Sequence, residues 1–521
     1  MRQRLTFLLP FALLFAATPL AAQSRSRTAS AAAVRRAVET ITEADVRSRI
    51  ALMSDDSMRG RGTPSPELDR TADWIAAEFQ RLGLTPAGDS GSFIQRYRIQ
   101  RSQVDSASFL MMMGHGATRR WTVGSDAAVG GPLPLSDSAF TAPAVLVVGT
   151  PRDTARPFGA VDVRGAIVVQ SVAALPRTRG AALQQLIAKG AQAGVRGWVL
   201  LVNAPEAAFA SQARSALRPQ SAVVGPEDAG RPRIPVLSLR DSSAMEVLHA
   251  AGEELAALRD TSAPSVRALS GVTVTIGASR RIVAELTAPN VVGILEGSDP
   301  RLRGEAVVFS AHMDHIGVGQ PVDGDSIYNG ADDDASGTAG VVELAEAFAS
   351  LRPRPRRSLV FLAVSGEERG LWGSAFYAEH PAVPLAQTVA DLNMDMIGRN
   401  WRDTVSVIGK EHSSLGETAN RVTRRHPELN MRLVDDLWPG QNFYFRSDHI
   451  HFARRGVPIL FFFNGTHPDY HRPSDSVDKI DAEKAARIVR MVFYVGLEVA
   501  DAAQRPQWDP ESRGRVVLGA N

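Results

Sequence analysis

From residue 290 onward the chain repeats one pattern: an unbroken apolar run, a polar break, then a helical stripe. S-L-V-F-L-A-V-S-G (358–366) and G-V-P-I-L-F-F-F-N-G (456–465) show no polar alternation. Such runs suit strands covered on both faces, as in parallel sheets. N-V-V-G-I-L-E and E-A-V-V-F-S-A-H flank G-S-D-P and read as a hairpin. Val341, Leu344, Ala345 and Phe348 recur at helical spacing. A-E-K-A-A-R-I-V-R-M-V-F-Y-V-G-L-E-V-A predicts a long closing helix, and the whole alternation predicts an α/β domain over 270–505. The polar stretch 506–521 reads as a loose tail.

Upstream the pattern changes. S-P-E-L-D-R-T-A-D-W-I-A-A-E-F-Q-R-L-G supplies a capping Ser65, Pro66 in the first turn and Gly83 as a stop. Ala72, Ile75, Phe79 and Leu82 form the stripe between them, in a segment (37–140) that leads into the main domain. Residues 141–269 form a separate module. A-P-A-V-L-V-V-G-T, G-A-I-V-V-Q, G-W-V-L-L-V-N and I-P-V-L-S-L are short β-branched runs bounded by Gly and Pro. The module carries His249 but no cluster of His and acidic residues, so it reads as a binding or lid domain.

The first 22 residues place Arg2 and Arg4 ahead of an apolar run that ends in small residues, the pattern of a signal peptide. That run is too short and Pro-broken to span a membrane, so an exported chain without stable membrane insertion is expected. Residues 23–36 read as a flexible linker. With Arg2 and Arg4 removed, the 58 basic residues fall level with the 56 acidic ones, and no basic run interleaved with aromatics is present. Nucleic-acid binding is therefore not expected. Cysteine is absent, which excludes disulfides, thiolate nucleophiles and sulfur-ligated metals. The sequence sets no oligomeric state.

Five polar clusters fall at predicted strand ends or loops: S-A-H-M-D-H-I-G, N-G-A-D-D-D-A-S-G, S-G-E-E-R-G-L-W-G-S, D-L-N-M-D-M-I-G and D-Y-H-R-P-S-D. Each alone is a weak signal. Together they can converge, because open α/β sheets gather ligands at the carboxyl ends of their strands. Imidazoles and carboxylates without sulfur suit zinc, with cobalt or manganese as substitutes, and there are donors enough for two ions. Two close metals suit hydrolysis.

This ordered set resembles the co-catalytic zinc aminopeptidases of metallopeptidase family 28, in their secreted bacterial form. M-R-G-R-G-T-P-S and G-L-T-P-A-G-D are similar to that family's early segments, and module 141–269 resembles an inserted protease-associated domain. The resemblance implies a zinc-exopeptidase three-layer α/β fold with a mixed central sheet, plus the inserted β-rich domain. It implies an aminopeptidase acting on peptide substrates with two zinc ions per chain. His312 and Asp395 would hold one zinc, Glu368 and His471 the other, and Asp333 would bridge them. Asp332 and Asp334 would be neighbours, and the Asp333–Asp334 peptide would be cis. Asp314 would accept the second ring N–H of His312, Glu367 would be the general base, and Tyr470 would stabilise the oxyanion. Glu367 and Glu368 divide these tasks if they point oppositely from an extended strand end.

His315 reads as a loop residue. Phe461 to Phe463 read as core, and His467 as a support for the loop carrying Tyr470 and His471. Phe443 to Phe445 and the R-S-D-H segment stand open between core and substrate pocket. Carboxypeptidase, dipeptidase and glutaminyl cyclase activities share such a core. A non-catalytic receptor-like protein is the alternative of another class, disfavoured because every ligand position is filled.

Overall fold

The computed structural model describes residues 28–130, 133, 139–153, 155–172, 181–224 and 234–518. The expected signal peptide and residues 23–27 of the expected linker lie outside the described residues. The linker reading fails for the remainder, because Ala31–Glu39 is a helix capped by Ser30 that buries Ala37 and Val38.

Four parallel strands make the centre of a ten-stranded sheet, in the spatial order Ile459–Phe463, Thr388–Asp395, Ala306–His312, Ser358–Val364. Every residue of all four is buried, which is why Ser358–Val364 and Ile459–Phe463 show no polar alternation, whereas Thr388–Asp395 buries polar residues at alternate positions. Antiparallel pairing extends the sheet on both sides and makes it mixed. Thr404–Ile408 joins Ile459–Phe463 at one end, followed by Arg432–Val434. Arg280–Leu295 joins Ser358–Val364 at the other, followed by Ile94–Val104 and Gln220–Val223.

The expected hairpin across G-S-D-P does not form. Ser358–Val364 lies between its two arms, antiparallel to one and parallel to the other. The turn is pinned to that intervening strand, with Gly297 N–H donating to Ser358 Oγ at 3.0 Å and Ser298 N–H to Pro355 O at 2.8 Å. Local turn chemistry marks a reversal, but it does not tell whether a third strand slips between.

Helices cover both faces. Glu43–Met53, Pro66–Arg81, Gly337–Ser350 and Ala482–Asp501 pack with Phe309, Phe361 and Leu392 on one side. Phe348 and Phe493, from the last two helices, stack at 4.2 Å. Ser65 Oγ accepts from Leu68 N–H, so the Pro66–Arg81 helix starts as its sequence predicts. On the other face Tyr377 and Phe452, from Trp372–Glu379 and His449–Ala453, pack with Val308, Val360 and Phe461. The result is three layers.

A second, eight-stranded sheet has its own two cores. It too has a parallel centre: Phe140–Val148, Ile167–Val172, Gly197–Val202 and Val236–Arg240. It is wider than 141–269, running from Phe109–Gly114 to Ser265–Gly277, which pair with each other. Gln220–Val223, although within that sequence range, leaves it and forms the edge of the central sheet. The expected loose tail is partly ordered: Pro510–Val516 is a helix capped by Asp509, and Trp508 donates to Gly456 O at 2.9 Å. Among the described residues no helix is long and apolar enough to cross a membrane.

Candidate metal centre

Each central parallel strand delivers chemistry at its carboxyl end. His312 and Asp395 are the last residues of their strands. Glu367 and Glu368 follow Ser358–Val364 in a short turn, and Tyr470 and His471 lie beyond Ile459–Phe463. The acidic turn Ala331–Ser336 opens the Gly337–Ser350 helix, and its Asp333–Asp334 peptide is cis, as the resemblance implies.

Asp333 sits at the meeting point, and its two oxygens face different partners. Oδ1 is 3.3 Å from His312 Nε2, and that nitrogen is 3.6 Å from Asp395 Oδ1. Oδ2 is 3.2 Å from His471 Nε2, which lies the same distance from Glu368 Oε2. The five expected ligands therefore form two sets that share Asp333. Asp333 Oδ2, Glu368 Oε1 and Asp395 Oδ1 are buried without hydrogen-bond partners. Buried carboxylate oxygens left in this state suit a cation, and hard oxygen donors with imidazoles suit zinc.

The flanking aspartates are already engaged. Asp334 lies near His312 and Asp395. Its carboxylate, however, accepts backbone N–H groups from Gly337 at 2.8 Å, Met396 at 3.1 Å and His312 at 3.2 Å. Asp332 accepts from Gly398 N–H at 2.6 Å and lies 3.3 Å from His467 Nε2. His467 thus lies against the acidic turn, and its main-chain oxygen accepts Tyr470 N–H at 3.0 Å, as expected of a support for that loop. The last residue of D-Y-H-R-P-S-D, Asp475, takes the N–H groups of Asp332 and Asp333 at 3.0 and 3.1 Å.

Two expectations need correction, and one core assignment gains a second role. His312 Nδ1 lies closer to the main-chain oxygen of Asp314, at 3.2 Å, than to its carboxylate, at 3.7 Å. That carboxylate is taken by Thr63 Oγ1 at 2.7 Å and Glu367 N–H at 3.3 Å, so Asp314 ties the turn carrying Glu367 to the His312 strand end. Glu367 and Glu368 do not diverge from an extended strand. They sit in a tight turn after Gly366 (φ +74°), where an added Cβ would meet Tyr97 OH at 2.6 Å. Phe461 and Phe463, read as core, also line the cavity beside the two donor sets.

His315, read as a loop residue, sits beside the donors, and Arg61 was not singled out at all. His315 is fully buried, 2.8 Å from Glu368 Oε1 and 3.7 Å from Asp333 Oδ2. The doubled histidine of H-M-D-H was its signal. Arg61 is also fully buried, and its guanidinium donates to Met313 O, Met53 O, Asn329 O and Gly330 O at 2.6–2.9 Å. It clamps the loops on both sides of the centre, and only its place in M-R-G-R-G-T-P-S hinted at that.

The cavity is narrow, about 30 Å³, and lined by Glu367 and Tyr470 with Phe443, Phe461, Phe463 and Arg446. Arg446 lies over the Phe443 ring at 4.6 Å. Tyr444 is core and Phe445 is exposed. A larger cavity of about 850 Å³, between the Ala31–Glu39 and Ala482–Asp501 helices, holds none of the clustered donors. Burial pushes the Glu367 carboxyl well above the usual carboxylate range, and Asp448, Asp395 and Glu368 add to this against His312. Burial lowers His471, but Asp333 and Glu368 outweigh it and hold the imidazole up at about 10. Burial, then the charges of Asp333 and Glu368, raise the Tyr470 hydroxyl, which stays a donor at neutral pH.

Comparison with known proteins gives a consistent result. Residues 290–496 match peptidase family M28. A probable zinc metalloprotease of Pyricularia oryzae is 38% identical over 157 residues, 29% of this chain and 30% of that protein. Aminopeptidase YwaD of Bacillus subtilis is 23% identical over 232 residues, 42% of this chain and 47% of that protein. These matches span less than half of either relative's length. The solved aminopeptidase from Aneurinibacillus sp. strain AM-1 shares the fold with a TM-score of 0.50 at 18% identity, over 91% of this chain and 97% of that one.

Proposed function

With residues 290–496 a peptidase family M28 domain, we propose that the chain is an exported aminopeptidase that uses two zinc ions to hydrolyse the N-terminal peptide bond of peptides. The observation that carries this reading is Asp333, whose two oxygens face two separate His-carboxylate sets. His312 and Asp395 would hold one ion, Glu368 and His471 the other, and Asp333 both. Bound there, zinc would supply Lewis acidity and a more acidic water.

The remaining chemistry belongs to the chain. Glu367 lines the cavity, and its raised proton affinity suits a general base. Its carboxylate takes a proton from the attacking water and delivers it to the departing amine nitrogen. Tyr470 O–H, held by stacking on the His471 ring at 3.8 Å, donates to the developing oxyanion. Asp314 and Thr63 fix the turn that carries Glu367. Phe443, Phe461 and Phe463 exclude water around the N-terminal side chain. Elemental analysis of the purified chain is expected to give two zinc ions, with peptide release from the N-terminus abolished by chelator and restored by zinc. A saturating value of one, or release from the C-terminus, would overturn the reading. Cell fractionation tests export.

A further inference from the structure

A row of polar side chains runs back from the metal centre into the sheet. Asp391, Asn393 and Asp395 alternate along Thr388–Asp395 and so share a face. Ser310 is in register with Asn393 on the neighbouring strand. Asp391, Asn393 and Ser310 are fully buried, in a layer otherwise built of residues such as Val308, Leu362 and Phe461.

Four contacts join the row. Asp391 Oδ1 is 2.7 Å from Ser310 Oγ, and that oxygen is 2.8 Å from Asn393 Oδ1. Asn393 Nδ2 is 3.3 Å from Ser447 Oγ, which is 2.9 Å from Asp395 Oδ2. Each serine hydroxyl has one proton to give. The Asp395 carboxylate, as a metal holder, only accepts, so Ser447 gives its proton there. Ser447 must then accept from the Asn393 amide nitrogen, which turns the amide oxygen towards Ser310. Ser310 gives its proton to that oxygen and has none left for Asp391. Two oxygens at 2.7 Å with no proton between them would repel, so the proton in that contact comes from Asp391. Reversing the chain would strip the proton from the Ser447–Asp395 contact instead.

We propose that Asp391 is a neutral carboxylic acid whose O–H donates into a directed chain through Ser310, Asn393 and Ser447 to Asp395, making it a positioning residue for the metal centre. The inference rests on the reading of Asp395 as a metal-holding carboxylate. Two further observations agree with it. Burial pushes the Asp391 carboxyl up to about 8, with the Ser310 contact opposing and the Asp448 charge adding. Asp391 Oδ2 is buried without a partner, which costs far less for a neutral acid than for an anion. The arrangement adds no negative charge near Asp333, Glu368 and Asp395. It also occupies Asp395 Oδ2 and leaves Oδ1 facing His312.

The zinc-loaded protein and its Asp391→Asn variant are compared by infrared difference spectroscopy at neutral pH. The expected loss is the carbonyl band of a protonated, buried carboxylic acid; loss of carboxylate bands instead overturns the proposal. Zinc affinity is read by chelator competition. Asp391→Asn keeps an N–H donor towards Ser310 and is expected to hold zinc as the parent does. Asp391→Leu removes the donor and is expected to weaken zinc binding about 10-fold or more. Equal weakening in both variants overturns the proposal. Should neither variant fold, Ser310→Ala gives the same readout, with the acid band shifted on loss of its acceptor; an unshifted band is the contrary result. A parent chain holding fewer than two zinc ions counts against the proposed function, whereas a missing acid band in a chain holding both counts against this inference alone.

Discussion

The central and second sheets share one plan, four parallel strands at the middle of a mixed sheet, yet only the central one gathers unpartnered carboxylate oxygens at its strand ends. In the second sheet Trp198 Nε1–H donates to Gln170 Oε1 at 3.0 Å, and Gln170 Nε2–H donates to Gly149 O at 2.8 Å. Asp241 is taken by Arg259 at 2.7 Å. These polar groups find their partners inside the fold. At the same edge of the central sheet, Asp333 Oδ2, Glu368 Oε1 and Asp395 Oδ1 stay unpartnered among three imidazoles. Parallel strand ends therefore provide the place for a site but not the site itself. What separates the two sheets is that several unpartnered carboxylate oxygens converge at the strand ends of the central one.

Substitutions can test that contrast. Asp333→Asn removes charge from both donor sets at once, and we expect zinc content to fall below one per chain with peptidase activity at background. The same change at Asp332, which serves Gly398 and His467, is expected to cost far less zinc. Glu367→Ala is expected to lower kcat by about 10²–10⁴-fold while elemental analysis still finds two zinc ions. In the second sheet, Gln170→Leu orphans the Trp198 N–H and the Gly149 carbonyl, and about 1–3 kcal/mol of stability should be lost by denaturant titration with kcat unchanged. An activity loss there would break the contrast.

The smallest effect concerns pH. With its carboxyl raised to about 8, Asp391 contributes stability that is full below its unfolded value and is lost as pH rises towards about 8. Asn at this position does not titrate. The melting temperature of Asp391→Asn relative to the parent, at constant zinc, should therefore rise from about pH 5 to about pH 8. A flat difference would place the proton elsewhere.

Much of this was legible in the sequence, for identifiable reasons. Two of the central strands, Ser358–Val364 and Ile459–Phe463, announced themselves because burial on both faces leaves them without polar alternation, whereas Thr388–Asp395, with Asp391, Asn393 and Asp395, did not. The donor sets were legible because their motifs fall at strand ends or in the loops that follow them. What stayed hidden depended on three-dimensional neighbours. The strand inserted into the 290–312 hairpin comes from 358–364, and nothing local to G-S-D-P marks its arrival. The extended strand end expected to carry Glu367 and Glu368 is instead a tight turn after a left-handed Gly366, which the sequence did not mark. His315 and Arg61 work through burial against distant loops, and short spacing patterns do not record burial.

One feature of the fold changes how the second sheet can be manipulated. Gln220–Val223 is lent to the central sheet and pairs with Ile99 to Ser102 of Ile94–Val104. The second sheet is therefore stitched to the central one by an edge strand as well as by its covalent connections. Excising 141–269 would cut Ser265–Gly277 within its length and bare the Ile94–Val104 edge to pairing with other chains. Aggregation after such surgery would say nothing about gating. A cleaner excision keeps Gln220–Val223 as a grafted edge strand and removes the remainder between Asp105 and Ser279, whose backbones already meet at 3.0 Å.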